Sequence, residues 1–220
     1  MTRVQPEVIL DFDYTLFDTA RFKRALAQAL VPHGVGAQRF KVLYPKAVER
    51  RGRRYRYSTE KHLQLLRREV PTLSLVAGRR SLGAVIERSR EFLYPEARAF
   101  LQRLRRHGFR LVLVTRGDPT FQLRKVRYSF IRHLFYSVVS APGHKAATLR
   151  SVLRKGRPTY FVTDHSGELA DVHRVFPWVF PILKLGGHGH VNHARTLKLP
   201  AFRNLKNIEA YINRNEKKEG

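Results

Sequence analysis

The stretch 8-VILDFDYTLFDT-19 decides how the chain is read. Val8-Ile9-Leu10 is a short apolar run of the kind that forms a fully buried strand. It runs straight into two aspartates one residue apart, Asp11 and Asp13, with Asp18 close behind. On an extended chain, side chains two apart point the same way, with α-carbons roughly 6.6 Å apart. Asp11 and Asp13 can therefore face one reacting group and divide labour, one as nucleophile and one as proton carrier. Aspartate also suits turns and helix caps, so spacing alone leaves both readings open. Asp18 reads as the cap of the helix that follows.

From Thr19 onward the period becomes helical. Phe22, Ala25, Leu26, Ala29 and Leu30 share a face up to Pro32-His33-Gly34, and Phe40, Leu43, Tyr44, Ala47 and Val48 suggest a second helix, kinked at Pro45. Ser58 or Thr59 caps a third running to Pro71, and Leu82, Val85, Ile86 and Leu93 mark a fourth. Residues 20–93 thus read as a helical block without a strand. After Tyr94-Pro95 helices alternate with the strand-like runs 109-FRLVLVT-115, 137-SVVSA-141, 158-PTYFVTD-164 and 178-WVFPILKL-185. The intervening helices carry Leu123, Val126, Phe130 and Leu134, then 144-HKAATLRSVLRK-155, then about Gly167 to Phe176. This alternation predicts an α/β fold, a Rossmann-like parallel sheet with helices on both faces. In such sheets ligands bind beyond the carboxyl ends of the strands, where Asp11, Thr115 and Asp164 fall.

Composition narrows the class. Hydrophobic residues make up 43% of the 220, which suits a packed globular chain, and no apolar run nears the roughly 20 residues of a membrane span. With no room for a leader before the first strand, a cytoplasmic location is expected. The absence of cysteine excludes disulfides, thiol catalysis and cysteine-ligated zinc. The 43 Lys and Arg against 17 Asp and Glu give a formal charge of +26, a field that attracts anions of any kind or that simply coats a solvated surface with arginine. Against it, the six aspartates fall in the windows 11–18, 118 and 164–171, each behind a strand-like run, as if forming one acidic island.

VILDFDYTLFDT resembles the first motif of the haloacid dehalogenase-like superfamily, Asp-x-Asp-x-Thr after an apolar strand. The later motifs follow in order: Thr115 in LVLVTRGD, Lys145 in APGHKAATL, and Asp164 with Glu168 in YFVTDHSGE. The approach 94-YPEARAFLQRLRRHGFRLVLVTRG-117 is similar too, so the likeness covers about 1–19 and 94–185. It implies a core of residues 1–19 and 94–220, with 20–93 as a helical cap inserted after the first motif. It implies Asp11 as the nucleophile that forms an aspartyl-phosphate, and Asp13 as general acid–base, a residue that dehalogenase members lack. Thr115 would donate to the phosphoryl oxygens and Lys145 would neutralise charge on them. Asp11, the backbone carbonyl of Asp13, Asp164 and possibly Glu168 would hold Mg²⁺. Glu168, or Asp171 one helical turn on, would orient Lys145 or a metal-bound water, or merely favour the helix N-terminal end.

The implied activity is Mg²⁺-dependent hydrolysis of a small anionic phosphorylated metabolite. The alternatives are a phosphomutase with the same residues, or a basic protein of this fold that binds nucleic acid or acts beside it. For the latter, 50-RRGRRYRY-57 interleaves arginine with tyrosine, against its reading as a solvated loop between helices. Asp118 before Pro119 reads as turn chemistry. His188, His190 and His193 in 186-GGHGHVNH-193 read as a flexible surface loop after the last strand rather than a metal site.

Overall fold

The computed structural model describes residues 4–51, 54–141 and 143–219. In chain order the elements are β1 (Glu7–Leu10), α1 (Thr19–Gln28), α2 (Ala37–Leu43), β2 (Val48–Arg51), β3 (Arg54–Tyr57), α3 (Thr59–Glu69), α4 (Leu75–Glu87) and α5 (Ala97–Arg106). Then come β4 (Arg110–Arg116), α6 (Pro119–Tyr128), β5 (Ser137–Ala141), α7 (Lys145–Leu149), β6 (Thr159–Thr163), α8 (Ser166–Val175), β7 (Val179–Lys184), α9 (Val191–Thr196), β8 (Ala201–Phe202) and α10 (Leu205–Glu219).

Six strands form one parallel sheet in the order β5-β4-β1-β6-β7-β8. Both faces are covered, as helical crossovers between parallel strands require. Alternate residues of β1 feed different cores: Val8 and Leu10 join a large cluster with α5, α10 and the helices that follow β1, while Ile9 joins a smaller one with α7 and α8. The large cluster runs without a break from the sheet through Phe17 and Phe22 to Leu63, Leu66 and Leu82, so the inserted helices share a core with the sheet. The reading of a parallel α/β sheet is borne out.

Several local expectations are corrected. β2 and β3 pair antiparallel, Val48 opposite Tyr57, where a helix and then a loop are expected. Pro45 lacks the N–H that would continue α2, which stops at Leu43; a single tight turn over Pro45–Ala47 then leads into β2. Of the arginine–tyrosine run, residues 52–53 lie outside the described residues, as does Pro142 of the third motif. α7 ends at Leu149 rather than at 155: the Ser151 hydroxyl donates to the Thr148 carbonyl, competing for an acceptor the helix needs. The charged segment from Arg214 continues α10 up to Glu219. The chain past β7 adds a sixth strand, because β8 is too short to show a period.

Candidate active site

The strand register explains how distant motifs meet. Leu10 of β1 pairs with Leu113 of β4 on one side and Val162 of β6 on the other. Asp11, Thr115 and Asp164 lie one or two residues beyond these partners, on three adjacent strand ends. A cavity of about 310 Å³ opens there, lined by Asp11, Asp13, Lys145, Asp164 and Glu168 among others.

Asp11 is buried and its carboxylate is saturated with donors. Oδ2 takes Lys145 Nζ at 2.6 Å and Thr163 Oγ1 at 3.0 Å, and Oδ1 takes the Phe12 N–H at 2.7 Å. Lys145, buried at the first turn of α7, also contacts Glu168 Oε2 at 2.8 Å. Glu168 Oε1 lies 3.3 Å from Arg116 Nη1. Both oxygens of Glu168 are therefore occupied by cations, which fits orientation of Lys145 and leaves little for a metal. Asp171 is apart from the cavity, paired with Arg174 at 2.5 Å.

Asp13 has a different set of partners. Oδ1 accepts from Thr19 Oγ1 at 2.6 Å and from Lys125 Nζ at 2.7 Å, and Oδ2 accepts from Gln122 Nε2 at 2.9 Å. Burial works against its ionisation, but the Lys125 ammonium and these hydrogen bonds outweigh it and hold the carboxyl below its usual range. Lys125 is itself 2% exposed, with the rings of Phe12, Phe17, Phe22 and Phe121 each 5.1–5.5 Å from its ammonium. Sequence reasoning missed Lys125 and Gln122. The helix after Pro119 is expected to carry Leu123, Val126, Phe130 and Leu134, yet α6 ends at Tyr128, and Leu123 and Phe130 are exposed. The buried positions are Gln122, Lys125, Val126 and the capping Ser129, spaced i, i+3, i+4, i+7. The signal was that spacing, carried by polar residues.

Thr115 is fully buried at the end of β4, and its hydroxyl has no hydrogen-bond partner among the described residues. Arg116 and Gly117 line the cavity; Thr115 itself sits behind that lining. Asp118 and Asp18 are N-caps, accepting from Phe121 N at 2.9 Å and Arg21 N at 2.8 Å. Asp118 also reaches Arg56 of β3 at 3.4 Å.

The loop after β7 is corrected most. Its 186–189 turn packs on the site, with His188 N–H donating to Asp164 Oδ2 at 2.9 Å and the His188 ring 5.3 Å from that of Tyr14. Among the described residues no three His, Cys, Asp or Glu side chains are grouped to hold a metal. Asp11 and Asp164 nevertheless suit a hard divalent cation. Burial, then the neighbouring Asp11 charge, push Asp164 up to about 7, and burial raises Asp11 as well. Two desolvated carboxylates, with Asp11 disfavouring ionisation of Asp164, are a hard oxygen donor set that would suit Mg²⁺.

Comparisons with known proteins agree with this geometry. The family model of haloacid dehalogenase-like hydrolases matches residues 8–162. A protein of Burkholderia xenovorans LB400 described as a haloacid dehalogenase-like hydrolase has a similar structure, with TM-score 0.70 at 19% identity over 93% of this chain and 96% of that one. One of Thermotoga maritima named for β-phosphoglucomutase gives 0.66 at 14% over 95% and 99%. One of Haemophilus somnus 129PT described as a phosphoglycolate phosphatase gives 0.61 at 16% over 95% and 99%. At such identities these likenesses speak for the fold alone. The curated proteins give no match. The family model spans well over half of the chain, across the first three motifs and into the strand before the fourth, and on that ground the chain belongs to the haloacid dehalogenase-like hydrolases.

Proposed function

We propose that the chain is a phosphomonoesterase that works through an aspartyl-phosphate on Asp11, with the segment 20–93 as a cap over the site. The observation that carries this reading is the division of partners within 11-DFD-13. Asp11 faces Lys145 and Asp164, whereas Asp13 faces Lys125, Gln122 and Thr19.

Asp11 attacks phosphorus and the bond to the leaving oxygen breaks; Asp13, ionised at rest beside Lys125, first takes up a proton from solvent and passes it to that oxygen. Asp13, now ionised and held by Lys125, takes a proton from the water that attacks the aspartyl-phosphate. Phosphate leaves and Asp11 is restored. Lys145 offsets charge on Asp11 and on the phosphoryl oxygens, with Glu168 and Arg116 fixing its direction. The Thr115 hydroxyl is unpartnered but lies behind the lining, so its donation to a phosphoryl oxygen would require Arg116 and Gly117 to shift. Mg²⁺, held by the carboxylates of Asp11 and Asp164 and the main-chain carbonyl of Asp13, would when bound neutralise the phosphoryl group.

The test is phosphate release from an aryl phosphate with and without Mg²⁺. Wild type should turn over only with the metal, and Asp11→Asn should be inactive. Equal rates for wild type and variant across a broad panel of phosphate esters would sink the reading.

A further inference from the structure

Four Lys or Arg side chains line the cavity: Lys23, Arg116, Lys125 and Lys145. Three of them are ion-paired, Arg116 and Lys145 with Glu168 and Lys125 with Asp13. Lys23 differs. Among the described residues no carboxylate lies within 4.0 Å of its ammonium, which instead sits 4.7 Å from the Tyr44 ring and 5.9 Å from the Tyr14 ring. It belongs to α1 of the insert, not to the strand ends that hold the phosphoryl machinery.

The surroundings of Lys23 are aromatic. Tyr44 stacks on Tyr57 at 4.4 Å, Tyr57 meets Phe121 edge-on at 5.1 Å, and all three line the cavity with Phe22. The Tyr57 hydroxyl is engaged by His62 Nδ1 at 3.0 Å, so this residue offers the cavity its ring. Tyr14 adds an independent sign. It holds φ at 56°, a conformation costly for a side chain of this bulk, and its ring lies between His188 and Lys23. Such strain is retained where the surroundings demand that side chain, and here the demand comes from the cavity wall.

An ammonium partly withdrawn from water and flanked by ring faces, with Asp13 acting on it only from beyond ion-pair distance, gains from an anion delivered by the ligand. Resting on the phosphomonoesterase reading, we propose that Lys23 binds a carboxylate on the leaving group, so that the substrate is the phosphate ester of a small hydroxy acid. A carboxylate matches one ammonium charge for charge. A second phosphate would bring surplus charge against Tyr44, Tyr57 and Phe22, which offer ring faces and no further cation. The cavity's roughly 310 Å³, shared with the phosphoryl group, suits a small leaving group.

The experiment compares kcat/KM for a phosphorylated hydroxy acid, its uncharged amide, and the matching bisphosphate. Wild type should favour the carboxylate over the amide by about tenfold or more, the scale of one charge-assisted contact. Lys23→Met should erase that preference while leaving the amide rate near wild type, and Lys23→Arg should restore much of it. An equal loss on both esters would mean that Lys23 serves the phosphoryl group or the fold, and would overturn the inference. So would a wild-type ratio near one, or a preference for the bisphosphate; both are read without any variant. Wild type inactive on every ester removes the phosphatase reading and this inference with it, whereas equal activity on ester and amide removes this inference alone.

Discussion

Lys125 and Asp13 stand 112 residues apart in the chain and 2.7 Å apart in space. Asp13 must be ionised to take a proton from water, and burial alone would favour its neutral form. Lys125→Met removes the largest opposing charge. The second step should then slow by about tenfold or more, since a general base contributes at least that much. With an aryl phosphate, stopped-flow should show a burst of one leaving group per enzyme followed by slow turnover. Loss of rate without a burst would leave Lys125 a purely structural role. Stability should fall by about 2–3 kcal/mol, less than for a fully buried pair, because Thr19 and Gln122 still hold the carboxylate. Gly187 makes a second residue-level case. Its φ is 55°, and a methyl group there would stand 2.5 Å from Asp164 Oδ2 and from Tyr14 Cγ. Gly187→Ala should raise the Mg²⁺ concentration needed for half-maximal activity severalfold while far-ultraviolet circular dichroism stays unchanged. An unaltered metal requirement would show that the loop does not place Asp164. Asp11, Lys145 and Asp164 were legible as candidates because each belongs to a short local pattern, the aspartates at strand ends and Lys145 at a helix start. Lys125, Lys23 and Tyr14 were not, because their neighbours come from other parts of the chain.

The inserted segment between β1 and α5 is held by one buried polar pair as well as by apolar packing. His62 is fully buried on α3, with Nε2 3.1 Å from the Phe40 carbonyl and Nδ1 3.0 Å from the Tyr57 hydroxyl. A carbonyl only accepts, so Nε2 carries the proton and Nδ1 accepts from tyrosine. That arrangement is neutral, and burial pulls the His62 pKa down to about 4 from 6.5. The unfolded chain binds this proton first, so stability is complete above about pH 6.5 and declines as pH falls towards 4. The loss should be on the order of 3 kcal/mol from this group. Urea titrations from pH 7 to pH 4 should show it, and His62→Gln should flatten that slope. A slope unchanged by the substitution would assign the acid sensitivity to other groups. The strand pair that brings Tyr57 to His62 was invisible in the sequence. Arg50, Arg54 and Arg56 break the apolar alternation by which strands are recognised, and pairing with the opposite strand overrides their weak local preference.

Charge is distributed unevenly over the whole protein. Five of its 17 acidic residues, Asp11, Asp13, Asp118, Asp164 and Glu168, line one cavity together with four cations, so the cavity is close to neutral and the net +26 is carried by the rest of the protein. Self-repulsion on that scale opposes compactness, and salt screens it over a Debye length of about 10 Å at 0.1 M. Raising NaCl from about 0.05 to 0.5 M should therefore raise Tm and lower kcat/KM for an anionic ester, because steering weakens along with repulsion. Scanning calorimetry and initial rates check the two halves separately, and a Tm that falls with salt would contradict the first. Among the described residues no helix is long and apolar enough to cross a membrane.

For 8-VILDFDYTLFDT-19 and the motifs that follow it, the sequence and the tertiary structure decide different things. That a strand ends at Asp11, that strands and helices alternate after Tyr94, and that Asp11, Thr115 and Asp164 each stand at a strand end follow from apolar periodicity and turn residues. These are properties of adjacent residues and survive in one dimension. Which cation each carboxylate meets, which face of α6 turns inward, and where the 186–189 loop lies depend on packing between segments that share no local pattern. Asp11 and Asp13 look alike as sequence; burial beside Lys145 and Asp164, or beside Lys125 and Gln122, is what makes them chemically different.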